Sequence, residues 1–592
     1  MKGVPAFFVG VAALAMAAAP AIAQEQVGLK YANVVADYSV EIPMKDGVAI
    51  AAKIFRPAAE GRYPAILLQT PYGKDSNGAQ AASNVARGYV SVAVDVRGRY
   101  DSEGKFQPFR DAEDGAAILD WIAAQPWSNG KVVTTGASYS GHSQWALWRQ
   151  RNPHHKAIVS YVAPADGFGD LSRHNGVPKL DLMFTWMMTT YDRVNHPREM
   201  EDFDWKKVMS QLPLDTLGDE AGRPVEAWRQ HMRHDRLDDY WTPLQATGAR
   251  PGLAIPTFSV TGWYEGQLLG SVRNHLNAVA QASGANHVLV IGPWLHSANS
   301  NRKVGELDGG PEAIIDLDKV RDQWMDHVML GGAKPVYQNF LYFLPIRNEW
   351  RQAPAFPIPG TEFTSYRLSS GGKANGGNGD GSLATGTGKG PADSYTYDPA
   401  NPIPSLSSRT AGARGGLPQG SVDHREIEKR DDILVYTSAP LSEDTEVTGP
   451  VRANIYISTN VVDTDVLVRL MDVYPDGRSL NIAEGIARAK YRDSYADPKL
   501  MTPGTVYKIP VELFPTSNLF LKGHRLRVEV TSSDFPVFAR NLNTANSDSG
   551  TEMKVARTRI HHSARYPSEI ILPIVPPGSS TRFQPPLKPA AP

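Results

Sequence analysis

The spacing of hydrophobic and polar positions divides the chain into three regimes. From Leu29 to Pro57 the two alternate, in Tyr38-Ser-Val-Glu-Ile42 and in Val48-Ala-Ile-Ala-Ala-Lys-Ile-Phe55. Met44-Lys-Asp-Gly47 lies between them as a turn, so this stretch predicts an antiparallel hairpin. Short continuous apolar runs follow at Ala65 to Gln69, Val90 to Val96, Val132 to Thr135 and Ala157 to Val162. Runs of this length and kind predict strands buried on both faces. Asp111 to Ala124 carries Ile118, Leu119 and Ile122 on one face and predicts a helix. Further strands are predicted at Ile255 to Thr261 and His287 to Ile291, with helices over Leu268 to Ala282 and Leu317 to Leu330. Strand–helix alternation of this kind means α/β architecture, a mainly parallel sheet covered by helices.

Two regions break that pattern. Asp166 to Gly248 is rich in Trp, Met, Asp and Arg, has helical spacing and shows no clear strand. Met183, Trp186 and Met187 form one apolar face there, and Trp228, Met232 and Trp241 contribute to others. A long helical insertion between strands predicts a cap over the sheet edge. After Arg347 to Gln352 the chain carries many short strands, such as Val451 to Ile457, Val466 to Met471 and Arg525 to Val530. These predict an all-β sandwich of jelly-roll type. The glycine-rich stretch Gly371 to Pro391 is expected to be a flexible loop within it. The resulting division is an α/β domain over residues 30–166 and 249–348, a helical cap over 167–248, a jelly roll over 349–575 and a disordered proline-rich tail over 576–592.

Composition narrows the picture. A chain of 592 residues exceeds a single core. A net charge of -1 gives no electrostatic reason to bind nucleic acid or an anionic membrane. Met1-Lys2, the apolar run Phe7 to Ala19 and the small-residue site Ala21-Ile-Ala23 predict a signal peptide over residues 1–23. The run is too short to span a bilayer. The expected location is therefore periplasmic or secreted, in a bacterium. The absence of cysteine excludes disulfides, thiol catalysis and thiolate metal sites.

The candidate chemistry centres on Gly136-Ala-Ser138-Tyr-Ser-Gly141, a G-x-S-x-G pattern between a predicted strand and a predicted helix. A serine on such a tight turn stands exposed at the C-terminal edge of a sheet, as a nucleophile must. Serine also needs a base, and the base an orienting acid. Glu265, in Thr261-Gly-Trp-Tyr-Glu-Gly266, and His296, in Gly292-Pro-Trp-Leu-His-Ser297, each follow a strand in the required order. The oxyanion of an acyl-transfer transition state needs aimed donors. The Tyr139 amide and the Tyr72 hydroxyl, in Thr70-Pro-Tyr-Gly73, are in place for that. No cofactor is implied, and no histidine cluster has metal-ligand spacing.

With these residues in view the chain resembles the CocE/NonD hydrolases, the group of cocaine esterase, X-Pro dipeptidyl-peptidase, α-amino-acid ester hydrolase and glutaryl cephalosporin acylase. TPYGKDS (70–76), DVRGRYDSEGKF (95–106), GASYSG (136–141), GWYEG (262–266), GPWLHS (292–297), MDVYPDG (471–477) and SSDFPVFARN (532–541) carry the resemblance. It implies an α/β-hydrolase domain, a cap and a jelly roll. It also implies Ser138 as nucleophile, His296 as base, Glu265 as acid, and Tyr72 with the Tyr139 amide as oxyanion hole. The group usually has Asp where this chain has Glu265. Its amino-acid ester hydrolases carry two acidic residues, resembling an ammonium clamp, where this chain has Gln267 and Leu268. Asp170 is the candidate remnant of that clamp, and Asp170, Gln267 and Trp263 are the residues expected to face the substrate. The expected partner is a small-molecule ester or amide without a strict α-amino requirement, and the sequence is compatible with self-association. The competing expectations are a Pro-directed dipeptidyl-peptidase and a non-catalytic glycan- or peptide-binding protein.

Overall fold

The protein is described here by a computed structural model covering residues 33–196, 203–245, 252–410 and 416–588. The expected signal peptide lies outside the described residues. The first domain is built on a sheet whose strands, in chain order, are β1 (Val34–Pro43), β2 (Ala49–Pro57), β3 (Tyr63–Thr70), β4 (Val90–Asp95), β5 (Ser128–Ala137) and β6 (His155–Tyr161). After two short strands of the insertion, β7 (Arg173–His174) and β8 (Val177–Pro178), the sheet resumes with β9 (Thr257–Gly262) and β10 (His287–Gly292). A two-residue hairpin, β11 (Lys303–Val304) and β12 (Leu307–Asp308), precedes β13 (Phe340–Leu344) and β14 (Glu349–Ala353).

The spatial order of the sheet is β1-β2-β4-β3-β5-β6-β9-β10-β13-β14. From β4 to β13 every pairing is parallel, and the hairpin at one edge and β14 at the other are antiparallel. The parallel strands from β3 to β10 lie where the continuous apolar runs predict them, because a strand covered on both faces has no polar side, whereas the pattern does not predict β13. Helices α1 (Gly78–Ala86), α2 (Ala112–Ala124), α3 (Tyr139–Trp148), α7 (Leu268–Gln281) and α8 (Leu317–Leu330) pack on it. One core lies against α2 through Ile118, Leu119 and Ile122, and another against α8 through Trp324 and Met325.

Among its described residues the insertion carries the short α-helices α4 (Thr185–Thr190), α5 (Trp205–Met209) and α6 (Glu226–Arg233), together with the β7–β8 hairpin that the pattern does not reveal. This hairpin docks on the C-terminal domain. The Ala539 amide donates to the Pro178 carbonyl at 2.9 Å, and Leu180 donates to Val537 at 3.1 Å. Arg173, wholly buried, pairs with Asp548, which also holds Arg488. Buried charges tolerate desolvation only when paired in this way.

The C-terminal domain is β-rich, with a 13-stranded sheet around a core that includes Leu368, Tyr436, Val468, Val528 and Ile570. Two expectations are corrected here. The glycine-rich stretch is not a free loop: Ser382–Ala384 forms a strand paired with Glu362–Ser369. The Asp380 carboxylate accepts the Gly371 and Lys373 amides, and Asp393 accepts from Ser370 and Tyr436. Nor is the start of the tail disordered. Thr581–Arg582 adds a strand beside β14, and the Asp316 amide donates to the Pro586 carbonyl at 2.7 Å. Proline lacks a donor but keeps its acceptor, so a proline-rich segment can still be tied to a fold through its carbonyls.

Candidate active site

Ser138 sits at the corner between β5 and α3, with φ 59° and ψ -118°. A non-glycine residue rarely adopts this conformation, and it persists only where the surroundings hold it. Its amide donates to the Tyr161 carbonyl at 3.0 Å, and its carbonyl accepts from Gly141 and His142. The flanking glycines are required by space. A Cβ on Gly136 would lie 2.5 Å from Cβ of Ser140, and one on Gly141 would lie 2.7 Å from Cβ of Ala163. The corner turns the serine side chain into a cavity of about 680 Å³.

The loops after β9 and β10 are zipped together by backbone bonds. Trp263 donates to the Gly292 carbonyl at 2.9 Å and Tyr264 to the Trp294 carbonyl at 3.2 Å. Gly262 permits this, since a Cβ there would lie 2.2 Å from the Trp294 carbonyl oxygen. The zipper places Glu265 Oε1 2.6 Å from His296 Nδ1. Glu265 is wholly buried, and its Oε2 accepts from the Gln267 amide at 2.7 Å and from Thr261 Oγ1 at 3.4 Å. With its Nδ1 proton directed at the carboxylate, the imidazole presents Nε2 as an acceptor. His296 lines the same cavity as Ser138.

Two buried cations hold the Glu265 turn. Lys179 Nζ, from the insertion, donates to the carbonyls of Asp170 at 2.7 Å and Gly266 at 2.9 Å, and to Gln267 Oε1 at 3.3 Å. Burial pulls its pKa down to about 8. Arg409, from the β-rich domain, donates to the Trp263 carbonyl at 2.6 Å while pairing with Glu484. Neither is visible as a local pattern, because each reaches the turn from a distant part of the chain.

Tyr72 closes another side of the cavity. Its hydroxyl accepts from Trp186 Nε1 at 3.1 Å and lies within reach of the Ser138 side chain. Burial pushes the phenol pKa up, so the hydroxyl keeps its proton at neutral pH. The Tyr139 amide is the first of α3 and has no acceptor within the helix. The Tyr139 side chain faces away from this role, its hydroxyl accepting from the Phe109 amide at 3.0 Å. Trp186, read from sequence as part of an apolar cap face, packs there and also borders the cavity.

The three expected substrate-facing residues lie outside the cavity lining. Asp170 spends its carboxylate on the amides of Ala165 and Asp166 and on Arg273. Gln267 is buried beneath Lys179. Trp263 is packed in the core between β9 and β13, its indole donating to the Phe343 carbonyl at 2.8 Å. The expectation failed because position in the motif does not say which way a turn residue points. Among the described residues, the lining holds no Asp or Glu, and its charged side chains are Lys74 and Arg321.

A strand-end serine, a carboxylate-bound histidine and a capped α/β sheet define the class, a serine hydrolase. The family model described as X-Pro dipeptidyl-peptidase (S15 family) matches residues 46–298, and that of the X-Pro dipeptidyl-peptidase C-terminal non-catalytic domain matches 327–571. Cocaine esterase of Rhodococcus sp. is 34% identical over 574 residues, covering 91% of this chain and 98% of the relative. An aminopeptidase from a marine-sediment Thaumarchaeota archaeon superposes with a TM-score of 0.79 at 24% identity, covering 92% of this chain and 96% of that one. For an α-amino-acid ester hydrolase the TM-score is 0.76 at 23% identity, covering 94% of this chain and 100% of that one. These two share the fold. The chain belongs to the S15 family, among its CocE/NonD serine hydrolases.

Proposed function

We propose that the protein is an exported acyl hydrolase that cleaves small-molecule esters, and amides more slowly, through a covalent intermediate on Ser138. His296 Nε2 takes the serine proton as Oγ attacks the carbonyl carbon. Glu265 stabilises the imidazolium without taking its proton. The Tyr72 hydroxyl and the Tyr139 amide bind the oxyanion. The imidazolium then protonates the leaving group, and a water activated by the same histidine releases the acid. In this reading residues 1–23 direct export and the β-rich domain has jelly-roll topology.

The observation that carries the proposal is the Glu265–His296 contact opening onto the cavity that holds Ser138. The likeness to cocaine esterase favours an ester substrate. A Pro-directed dipeptidyl-peptidase must bind a substrate ammonium, and among the described residues the cavity lining holds no carboxylate to pair with it. Ser138→Ala tests the mechanism. It should abolish labelling by a fluorophosphonate probe and lower p-nitrophenyl ester turnover by more than about 10⁴-fold in a folded protein. Labelling that persists in the variant rejects Ser138 as nucleophile.

A further inference from the structure

A central strand of a parallel sheet is normally covered on both faces. Here one face is left partly bare. Leu68 on β3, Thr135 on β5 and Tyr161 on β6 are only half-buried, although each strand has neighbours on both sides. These side chains line the cavity that holds Ser138 and His296, along with Ile66, Ala93 and Phe55. Period-two alternation puts Ile66, Leu68 and Thr70 on one face of β3, and Ser91 and Ala93 on the matching face of β4. The walls are α1, through Gln80, Ala81 and Asn84, and α8, through Arg321.

The two walls are tied together at the end away from the serine. At the far end Arg87, just past α1, pairs with Asp322 and Asp326 of α8, and the Tyr89 hydroxyl donates to Asp326 at 3.1 Å. The wedge is therefore closed below and opens at the strand ends where Ser138 stands. Along β3, from Thr70 to Ile66, it runs about 13 Å. On the opposite side of the serine the cavity meets α4 of the insertion, at Thr185, Trp186 and Thr189.

We infer that this wedge between α1, α8 and the sheet is an acyl-chain pocket, taking the extended aliphatic chain of a medium- to long-chain carboxylic ester. The inference rests on the acyl-transfer reading of Ser138. The order of events decides which part of the substrate enters. The alcohol departs after the first step, while the acyl group stays bonded to Oγ. A leaving group held in a closed wedge would be trapped behind the acylated serine. The chain that remains attached therefore belongs in the closed arm, and the leaving group on the α4 side. The floor suits a hydrocarbon, since Phe55, Ile66, Leu68 and Ala93 supply most of it beside Ser91, Thr135 and Tyr161, and Arg321 is already paired with Asp318 and Asp322.

p-Nitrophenyl acetate, butyrate, octanoate and decanoate share one leaving group and so test the arm. For the wild type, kcat/KM should rise about fourfold per added methylene until the arm is filled. Ser91→Phe narrows the wedge and should lower the decanoate-to-acetate ratio of kcat/KM by at least about tenfold. Ala93→Leu should move the ratio in the same direction by less and serves if the first variant misfolds. A wild-type profile that is flat or falls beyond acetate overturns the pocket, as does an unmoved ratio in the folded variants. Hydrolysis that survives Ser138→Ala overturns the acyl-transfer reading itself, and the pocket with it. Hydrolysis lost in Ser138→Ala leaves that reading standing and lets the ratio alone decide the pocket.

Discussion

Glu265→Gln is nearly isosteric, and the hydrogen bonds around the carboxylate determine how the amide must sit. Oε2 accepts from the Gln267 amide at 2.7 Å, and Oε1 faces His296 Nδ1 at 2.6 Å. In the variant only the amide oxygen can face the Gln267 N–H, so the amide NH2 is turned toward His296. Nδ1 must then accept, which moves the imidazole proton to Nε2. Nε2 is the atom required to take the serine proton, and in this tautomer it is blocked. The same tautomer error in a serine protease lowers kcat about 10⁴-fold, or about 5.4 kcal/mol of barrier. We expect a loss of that order for p-nitrophenyl butyrate, with the melting temperature little changed because no side-chain volume is lost. Ser138→Ala should fall further, since it removes the nucleophile. Steady-state kinetics on folded protein checks both. If Glu265→Gln keeps activity within tenfold of wild type, another carboxylate orients His296 and the assignment of Glu265 is wrong.

Tyr72→Phe should lower kcat by about 10²- to 10³-fold with a smaller change in KM, because its hydroxyl donates to charge that exists only in the transition state; equal loss in both parameters would make it a packing residue. Arg409→Met should cost about 3 kcal/mol of stability by leaving Glu484 buried without its partner, and should lower kcat as the Trp263 carbonyl is released. Arg409→Lys should not restore either property, because one ammonium cannot serve both acceptors in the guanidinium's geometry; denaturant titration and kinetics report the two effects. Stability should fall with acidification below pH 6.5. Burial holds His142 down to about 4, and His155, His174, His231 and His275 down to about 3. Between those values and 6.5 the unfolded chain binds protons the native chain cannot, and each histidine removes up to about 1.4 kcal/mol per pH unit. Asp111 and Asp463, raised by burial to about 6, and Glu428, raised by burial and by the neighbouring Glu529, oppose this in part. Urea unfolding at pH 7.5 and pH 5 measures the net effect, and equal stabilities would refute it.

The alternation and run lengths of apolar residues were enough to locate the sheet strands from β1 to β10 outside the insertion and the helices α2, α7 and α8, though not α1, β13 or β14, because burial on one or two faces is written directly into residue order. That Ser138, Glu265 and His296 come together was legible for a related reason. Each follows a strand, and a parallel sheet carries all its strand ends to one edge, so three distant motifs converge without any long-range detail. The Tyr139 amide follows from Ser138 by chain adjacency alone.

Side-chain direction was decided by the tertiary structure. Trp263 and Gln267 sit in or beside the right motif and Asp170 in the insertion, yet all three point into core or into other bonds, while Trp186 packs with its apolar face and also holds Tyr72. Lys179 and Arg409 reach the Glu265 turn from other domains, and no local pattern encodes such contacts. The bare sheet face between α1 and α8 is a property of how two helices diverge. Local order in a sequence specifies which residues must be buried and where chains must turn, but the space left between packed elements exists only once they have met.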